Sequence, residues 1–219
     1  MKIGIFDSGM GGTTVLATIK KLLPSEEYFY LADSKNCPYG EKTDEELQKI
    51  VSKNTEELIN WGAKIIVIAC NTATVKCINY LRKNYPDITF VGTEPAIKLA
   101  TNTNAKKILV LATPGTVKSE RTHMLLKENQ KEGQTITLLP CPGLADVIEN
   151  KGDVDQKLSE LLENIDKNQD AVVLGCTHYP LVRSKIQNFF KTATLIDGNN
   201  GVAHQVEKLL KTDYNVNNE

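Results

Sequence analysis

The chain has 219 residues, of which 41% are apolar and 24% are charged, and its formal net charge is −1. A chain of this length can bury one large core or two smaller ones. Its charge balance argues against a surface for nucleic acid or an anionic membrane, and no run approaches the ~20 apolar residues of a membrane-spanning helix. Asp7 interrupts the first apolar run too early for a signal peptide. The five widely spaced cysteines favour free thiols in a reducing cytoplasm.

Short apolar runs alternate with amphipathic segments along the whole chain. Eight runs have the length and composition of strands, at residues 3–6, 28–31, 65–68, 88–91, 108–111, 135–138, 171–174 and 194–196. Helical periodicity places apolar residues on one face in segments 15–23, 47–58, 154–165 and 202–210. The charged stretches 41–57 and 153–170 are expected to be solvent-facing helices. Strands that are apolar throughout, alternating with helices, indicate parallel sheets covered on both faces, so the predicted fold class is α/β.

The second half of the chain repeats features of the first half in the same order. Three pairs of segments carry the repeat, namely those that begin at Lys2 and Lys107, those at Cys37 and Cys141, and the strands that end at Cys70 and Cys176. Their offsets are 105 (107 − 2), 104 (141 − 37) and 106 (176 − 70) residues. We therefore predict two similar lobes related by a pseudo-twofold axis, with the active site in the cleft between them. The first comprises residues 1–92 and 198–219, and the second comprises residues 93–197.

The unusual polar residues follow strands, where parallel sheets bind their ligands. Asp7 follows the first strand, Cys70 the third and Cys176 the penultimate one. In two lobes that face each other, the two cysteines would occupy equivalent positions on opposite walls of one cleft. One thiolate could remove a proton from a carbon while the other thiol delivers a proton to the opposite face. This pairing predicts inversion at a carbon centre.

Several neighbouring groups are expected to support that chemistry. A helix-like segment follows each cysteine, and we expect its N–H groups to lower the thiol pKa. Asp7 and His178 are the expected second proton carriers. The glycines of segment 9–12 would let backbone amides approach a substrate carboxylate. Short side-chain donors come from Ser8, Asn71, Thr72, Thr113, Thr116 and Thr177.

Other cysteines and histidines have simpler interpretations. A cysteine is usually a small buried hydrophobe, so we assign no role to Cys37, Cys77 or Cys141. His123 and His204 are expected on helix surfaces. Neither C-x-x-C nor H-x-x-x-H spacing occurs in the sequence, so no metal site is expected.

Four motifs in order resemble those of the glutamate racemases, within the aspartate/glutamate racemase superfamily. They are GIFDSGMGG at 4–12, DSKNCPYG at 33–40, ACNTA at 69–73 and GCTHYP at 175–180. The resemblance runs from Lys2 to about Leu210, in a chain shorter than typical members. It implies interconversion of L- and D-glutamate without cofactor or metal, which supplies D-glutamate for peptidoglycan, cell-wall biogenesis and cell shape. It also implies a homodimer.

The resemblance assigns roles to individual residues. The paired catalytic cysteines fall on Cys70, which would act on the D-enantiomer, and Cys176, which would act on the L-enantiomer. Helper groups fall on Asp7, His178 and Glu149, and only its local context places Glu149. The implied substrate contacts are Ser8, Tyr39, Gly40, Asn71, Thr72, Thr113, Thr116 and Thr177.

Two alternatives stay open on the sequence. One is a racemase of another substrate, of the aspartate or hydantoin type, on the same fold. The other is a non-catalytic module that binds a phosphate or nucleotide at the glycine-rich segment, as such segments do in many folds. The second alternative gives no reason for the duplicated cysteines.

Overall fold

The computed structural model describes residues 1–216, with side chains through residue 211. The last three residues of the predicted first lobe, 217–219, lie outside the described residues. Within that range there are eight strands, and each corresponds to a predicted one. They are β1 Lys2–Asp7, β2 Glu27–Ala32, β3 Ile65–Ile68, β4 Thr89–Gly92, β5 Lys107–Ala112, β6 Thr135–Pro140, β7 Ala171–Gly175 and β8 Thr194–Ile196.

The strands form two parallel four-stranded sheets with the same connectivity. Their orders are β2-β1-β3-β4 and β6-β5-β7-β8. The central pairs also match in register, since Phe6 pairs with Ile68 in the first sheet and Leu111 pairs with Leu174 in the second. The predicted α/β fold with two similar lobes is therefore confirmed.

Ten α-helices lie among the described residues. They are α1 Thr13–Leu22, α2 Asp44–Trp61, α3 Asn71–Asn84, α4 Ile97–Thr101, α5 Pro114–Lys118, α6 Glu120–Asn129, α7 Leu144–Glu149, α8 Val154–Leu162, α9 Arg183–Phe189 and α10 Asn199–Val216. Short 3₁₀ turns occur at Met10–Gly12, Ser34–Asn36, Tyr39–Glu41 and Tyr179–Val182. No helix in the described part of the chain has the length and apolar character needed to cross a membrane.

Two predicted helix limits are wrong, for local reasons. The helix expected from residue 41 begins at Asp44, because Thr43 forms a capping box with Glu46. The helix expected over 153–170 ends at Leu162. Beyond it, the Asp170 carboxylate accepts hydrogen bonds from the amides of Lys106 and Lys107, which join this segment to the start of β5.

Helices cover both faces of the first sheet. On one face, Ile3 and Ile5 of β1 pack with α1 and α10 through Ile19 and Val206, and on the other face Phe6 packs with α2 and α3. The C-terminal helix thus lies on the first sheet. These contacts support the division that we propose, into a first lobe of residues 1–92 and 198–219 and a second of residues 93–197.

The second sheet has the same layered arrangement. Leu109 and Leu111 face a cluster built with α7, α8 and α9, whereas Ile108 and Val110 face α4 and α6. Hydrogen bonds from Thr177, which follows β7, to Asp7 at the end of β1 bring the carboxyl ends of the two sheets together. This arrangement places the polar residues that follow the central strands between the lobes.

Candidate active site

A small cavity lies between the lobes at the carboxyl ends of the strands. Its volume is about 10 Å³, and it is lined by Ser8, Pro38, Tyr39, Gly40, Cys70, Asn71, Thr72, Thr113, Ala145 and Cys176. Cys70 follows β3 and Cys176 follows the equivalent strand, β7. The two predicted catalytic thiols therefore line one cavity from opposite lobes. The space is about that of one water molecule, so the lobes are closed around it.

Cys70 stands at the N-terminal cap of α3 with its thiol 3.8 Å from the hydroxyl oxygen of Ser8. Burial raises the pKa of Cys70 to about 12, and the charge of Asp7 acts in the same direction. The amides of Ala73 and Thr72 at the start of α3 lower the pKa but do not offset burial. The prediction of a lowered thiol pKa is therefore wrong for the closed site.

Cys176 is equally buried, and its Sγ lies 3.8 Å from Nδ1 of His178. Burial raises the pKa of Cys176 well above its ordinary value, although the backbone N–H of His178 lowers it. The charged form of Cys70 would raise it further. Each thiol is thus kept protonated by its surroundings, and Cys176 has an imidazole nitrogen next to it.

Glu149 ends α7 and contacts the far side of the same imidazole. Its Oε2 lies 2.8 Å from Nε2 of His178 and accepts a hydrogen bond from the amide of Met10 at 2.8 Å. Its Oε1 accepts one from the Ser34 hydroxyl at 2.5 Å. Burial alone would raise the pKa of Glu149, but these three hydrogen bonds together with the charge of His178 lower it. The structure thus connects Glu149 to Cys176 through His178.

Asp7 is fully buried at the end of β1. Its carboxylate accepts hydrogen bonds from the amide of Gly12 at 2.8 Å and from the Thr177 hydroxyl at 3.1 Å. Burial raises the pKa of Asp7, and the opposing effects of His178, Gly12 and Thr177 are smaller. Asp7 affects both thiols through its charge, which raises the pKa of Cys70 and of Cys176.

The glycine-rich segment does not face the cavity as predicted. Its amides bind carboxylates of the protein itself, Gly12 binding Asp7 and Met10 binding Glu149. A Cβ at Gly11 would lie 2.7 Å from the backbone nitrogen of His178. Gly11 is therefore required for the close approach of the two lobes. For the amides of Met10 and Gly12, the expected approach to a substrate carboxylate is wrong in this arrangement.

Polar side chains occupy one end of the cavity. Oγ1 of Thr72 lies 2.9 Å from that of Thr113 and 3.2 Å from that of Thr116, and the last two are 3.0 Å apart. Asn71 is buried, and its Oδ1 has no hydrogen-bond partner among the described residues. An unpaired acceptor here is suited to an ammonium group. Thr116 lies behind Thr72 and Thr113, outside the lining.

Tyr39 and Gly40 contribute mainly their shape. The Tyr39 hydroxyl donates to Asp33 at 2.6 Å and accepts from the Asn54 amide at 2.9 Å. Gly40 packs directly on Thr113, where a Cβ would lie 2.9 Å from the threonine Cβ. Thr177, another predicted contact, binds Asp7 and is also outside the lining.

The other three cysteines and the other two histidines lie outside the cavity lining. Burial raises the pKa of Cys37, Cys77 and Cys141 to about 12 each, and all five cysteines are free. His123 and His204 are exposed on helices. Among the described residues, no group of three or more His, Cys, Asp or Glu side chains is arranged to hold a metal ion.

Sequence reasoning missed Ser34 and Asn54. Ser34 belongs to a quoted motif, but nothing in the sequence pairs it with Glu149, which lies 115 residues away. Asn54 lies on the buried face of α2, where a polar residue in an apolar stripe was the available signal.

The sequence and the fold are both similar to those of known racemases. The profile of the Asp/Glu/Hydantoin racemase family matches residues 7–206. A glutamate racemase of Clostridium novyi is 40% identical, over 99% of this chain and 86% of that protein, and one of Clostridium botulinum is 43% identical, over 95% and 83%. The crystal structure of Escherichia coli glutamate racemase in complex with L-glutamate and an activator has a TM-score of 0.87 at 33% identity, covering 96% of this chain and 82% of that one.

Proposed function

The chain belongs to the Asp/Glu/Hydantoin racemase family, and from this premise we propose that it is an isomerase that interconverts L- and D-glutamate without a cofactor. The observation that carries the proposal is that Cys70 and Cys176 line the same cavity from opposite lobes. A carbon held between them has one thiol on each face. The named relatives support glutamate as the substrate.

The proposed reaction is a proton transfer at each face of Cα. Cys176, as thiolate, removes the proton of the L-enantiomer, and the Cys70 thiol delivers a proton to the opposite face. The reverse reaction exchanges the two roles. Because burial favours the protonated thiols, each must lose its proton to a neighbour before it acts as a base. For Cys176 that neighbour is His178, with Glu149 stabilising the imidazolium.

Substrate binding supplies further stabilisation. As the Cα proton leaves, negative charge develops on the substrate α-carboxylate, and hydrogen-bond donors that face it lower the barrier. We propose that Ser8, Asn71, Thr72 and Thr113 serve this purpose and that the free Oδ1 of Asn71 accepts from the substrate ammonium. Tyr39 and Gly40 shape the lining, with Gly40 packed against Thr113, and Thr116 and Thr177 support Thr72 and Asp7 from behind.

The test is racemisation of glutamate by three variants with isotopic labelling. We expect Cys70→Ala and Cys176→Ala each to lose at least about a thousandfold in kcat/KM, because each removes the acid–base group on one face. Cys77→Ala, in the core of the first lobe, is the control. In D₂O the wild type should place deuterium at Cα starting from either enantiomer. Product without deuterium in both directions would exclude the two-thiol reaction.

Substrate assays distinguish the two other racemase types, and the hydrogen bonds of the glycine-rich segment bear on the phosphate-binding alternative. A racemase of the aspartate type would prefer aspartate in a parallel assay, and one of the hydantoin type would act on a hydantoin rather than a free amino acid. A phosphate-binding module needs free amides in the glycine-rich segment. Two of those amides are already bound to Asp7 and Glu149, which favours the enzyme.

We also propose the cellular setting that the resemblance implies. D-Glutamate is a building block of peptidoglycan, so loss of the chain should create a requirement for external D-glutamate. A cytoplasmic location is supported by the five free thiols. The homodimer remains a proposal, which sedimentation of the purified chain would test.

A further inference from the structure

We propose that Ser34 is a positioning residue that makes the reactivity of Cys176 depend on closure of the two lobes, an inference that rests on the proposed function. Ser34 lies in the turn after β2, in the first lobe. Its hydroxyl donates a 2.5 Å hydrogen bond to Oε1 of Glu149, which belongs to the second lobe. The roles that the proposed reaction gives to the motif residues and to the two catalytic thiols do not explain this contact.

The contact lies at the end of a continuous series of polar groups. Sγ of Cys176 is 3.8 Å from Nδ1 of His178, and Nε2 of His178 is 2.8 Å from Oε2 of Glu149. When Nε2–H donates to the carboxylate, Nδ1 is left as an acceptor beside the thiol. That is the tautomer required to take the thiol proton. Ser34 holds the other oxygen of the same carboxylate, so it fixes the orientation of the carboxylate and thereby that of the imidazole.

The donors and the acceptor belong to different lobes. Ser34 and the Met10 amide are in the first lobe, whereas Glu149, His178 and Cys176 are in the second. A cavity of about 10 Å³ cannot hold glutamate, so the substrate must gain access by a movement that parts its walls. Separation of the lobes would remove both first-lobe donors from Glu149. Closure restores these two hydrogen bonds. His178, which accepts the proton of Cys176, is therefore held in the required orientation only when the substrate is enclosed.

The charges around Glu149 allow this contact to be observed by titration. His178 faces it from its own lobe, and Tyr30 and Cys37 face it from the first lobe. Asp7 and Asp146 are the nearby carboxylates that share these neighbours. Burial raises the pKa of Tyr30 and of Cys37, so both are neutral near pH 7. The hydrogen bond from Ser34 is the largest of the effects that lower the pKa of Glu149.

The first measurement does not depend on catalysis. The Glu149 carboxyl is followed by ¹³C NMR as a function of pH in the full chain, with the resonance assigned by Glu149→Gln. We expect Ser34→Ala to raise the pKa of Glu149 and Ser34→Thr to restore it, because threonine retains the hydroxyl. Ser159→Ala, which removes an exposed serine on α8, is the matched control and should leave the titration unchanged. An unchanged titration in Ser34→Ala would overturn the proposal.

The second measurement is kinetic. The two enantiomers have equal free energy, so kcat/KM must fall by the same factor in both directions, and we expect roughly tenfold or more in Ser34→Ala. A role specific to Cys176 shows in the primary isotope effects of Cα-deuterated substrates. The effect should increase for the enantiomer that Cys176 deprotonates and decrease for the other, with Ser34→Thr close to wild type. Equal changes for both enantiomers would overturn the link to Cys176. A wild-type chain inactive on glutamate would overturn the proposed function instead, whichever way Glu149 titrates.

Discussion

The carboxylate of Asp7 accepts a hydrogen bond from the hydroxyl of Thr177 at 3.1 Å, which joins the ends of β1 and β7 across the two lobes. Asp7 is fully buried, and this burial raises its pKa. As the pH falls, Asp7 therefore takes up a proton at a higher pH than an exposed aspartate does. If the ionised form supports the reaction, activity is lost on the acid side through the raised pKa and is retained above it.

Asp7→Asn tests this directly, because the amide has nearly the same shape and cannot ionise. We expect kcat/KM to fall roughly 100-fold near neutral pH and the acid limb due to Asp7 to disappear from its pH profile. The measurement is kcat/KM between about pH 5 and pH 9 for the variant and the wild type. Asp87→Asn, in an exposed loop, is the control. An unchanged acid limb in Asp7→Asn would assign that limb to another group.

The sheets and the thiol pair were predictable because their signals are local. Strand β3 is four consecutive β-branched residues, Ile65–Ile68, all buried, and no helix signal competes with it. The repeat within the chain then assigns Cys70 and Cys176 to equivalent strand ends. Because the topology of parallel sheets determines which strand ends meet, the site could be located approximately from the chain alone.

The interactions within the site were not predictable, because they form only when the lobes meet. The raised pKa of Cys70 arises first from burial between two lobes, whereas the helix amides that would lower it are visible in the sequence. Similarly, two amides of the glycine-rich segment, those of Gly12 and Met10, bind Asp7 and Glu149. Which carboxylate accepts from Ser34 depends on a tertiary contact with no pattern in the sequence.

Removal of one hydroxyl from the threonine cluster is expected to weaken the binding of glutamate. Thr72→Val keeps the shape and removes the hydroxyl, while Thr113 and Thr116 remain hydrogen-bonded to each other at 3.0 Å. We therefore expect KM for glutamate to rise about tenfold, the value for one hydrogen bond to a charged group, and kcat to fall as well, because this hydroxyl also faces the charge that develops on the carboxylate. Steady-state kinetics in both directions measure this, with Thr72→Ser as the control that keeps the hydroxyl. A wild-type KM in Thr72→Val would show that this hydroxyl makes no contact with substrate.

A side chain at Gly9 is expected to displace the carboxylate of Glu149. A Cβ at this position would lie 2.4 Å from Oε2 of Glu149, so Gly9→Ala must displace the carboxylate that supports His178. We expect kcat/KM to fall by about 100-fold or more, as for other displaced catalytic groups. Gly201→Ala is the matched control, since no atom lies within 4 Å of its Cβ. In α10 this change should stabilise the chain by about 0.5–1 kcal/mol. Full activity in Gly9→Ala would mean that Glu149 need not hold this position.

Ionisation of Cys77 is expected to make the free energy of unfolding decrease at alkaline pH. It is buried in the core of the first lobe, and burial, followed by the charge of Asp44, raises its pKa to about 12 despite Lys76. In the unfolded chain the thiol ionises near its ordinary pKa of about 8.5. Between these two pKa values the folded state holds a proton that the unfolded state has lost. The full free energy of unfolding is therefore present below about pH 8.5, and the thiol lowers it progressively as the pH rises above that value. The loss from one such thiol approaches about 1.4 kcal/mol per pH unit within this window.

The corresponding experiment compares slopes rather than absolute stabilities. Urea unfolding of the wild type and of Cys77→Ala between about pH 8 and pH 11 should give a shallower decline for the variant, because it has lost one titrating thiol. Val51→Ala, in the same core cluster, removes apolar volume without a titratable group. It should lower the free energy of unfolding at every pH and leave the wild-type slope unchanged. Parallel curves for Cys77→Ala and the wild type would mean that Cys77 ionises as readily in the folded chain as in the unfolded one, contrary to the effect of its burial.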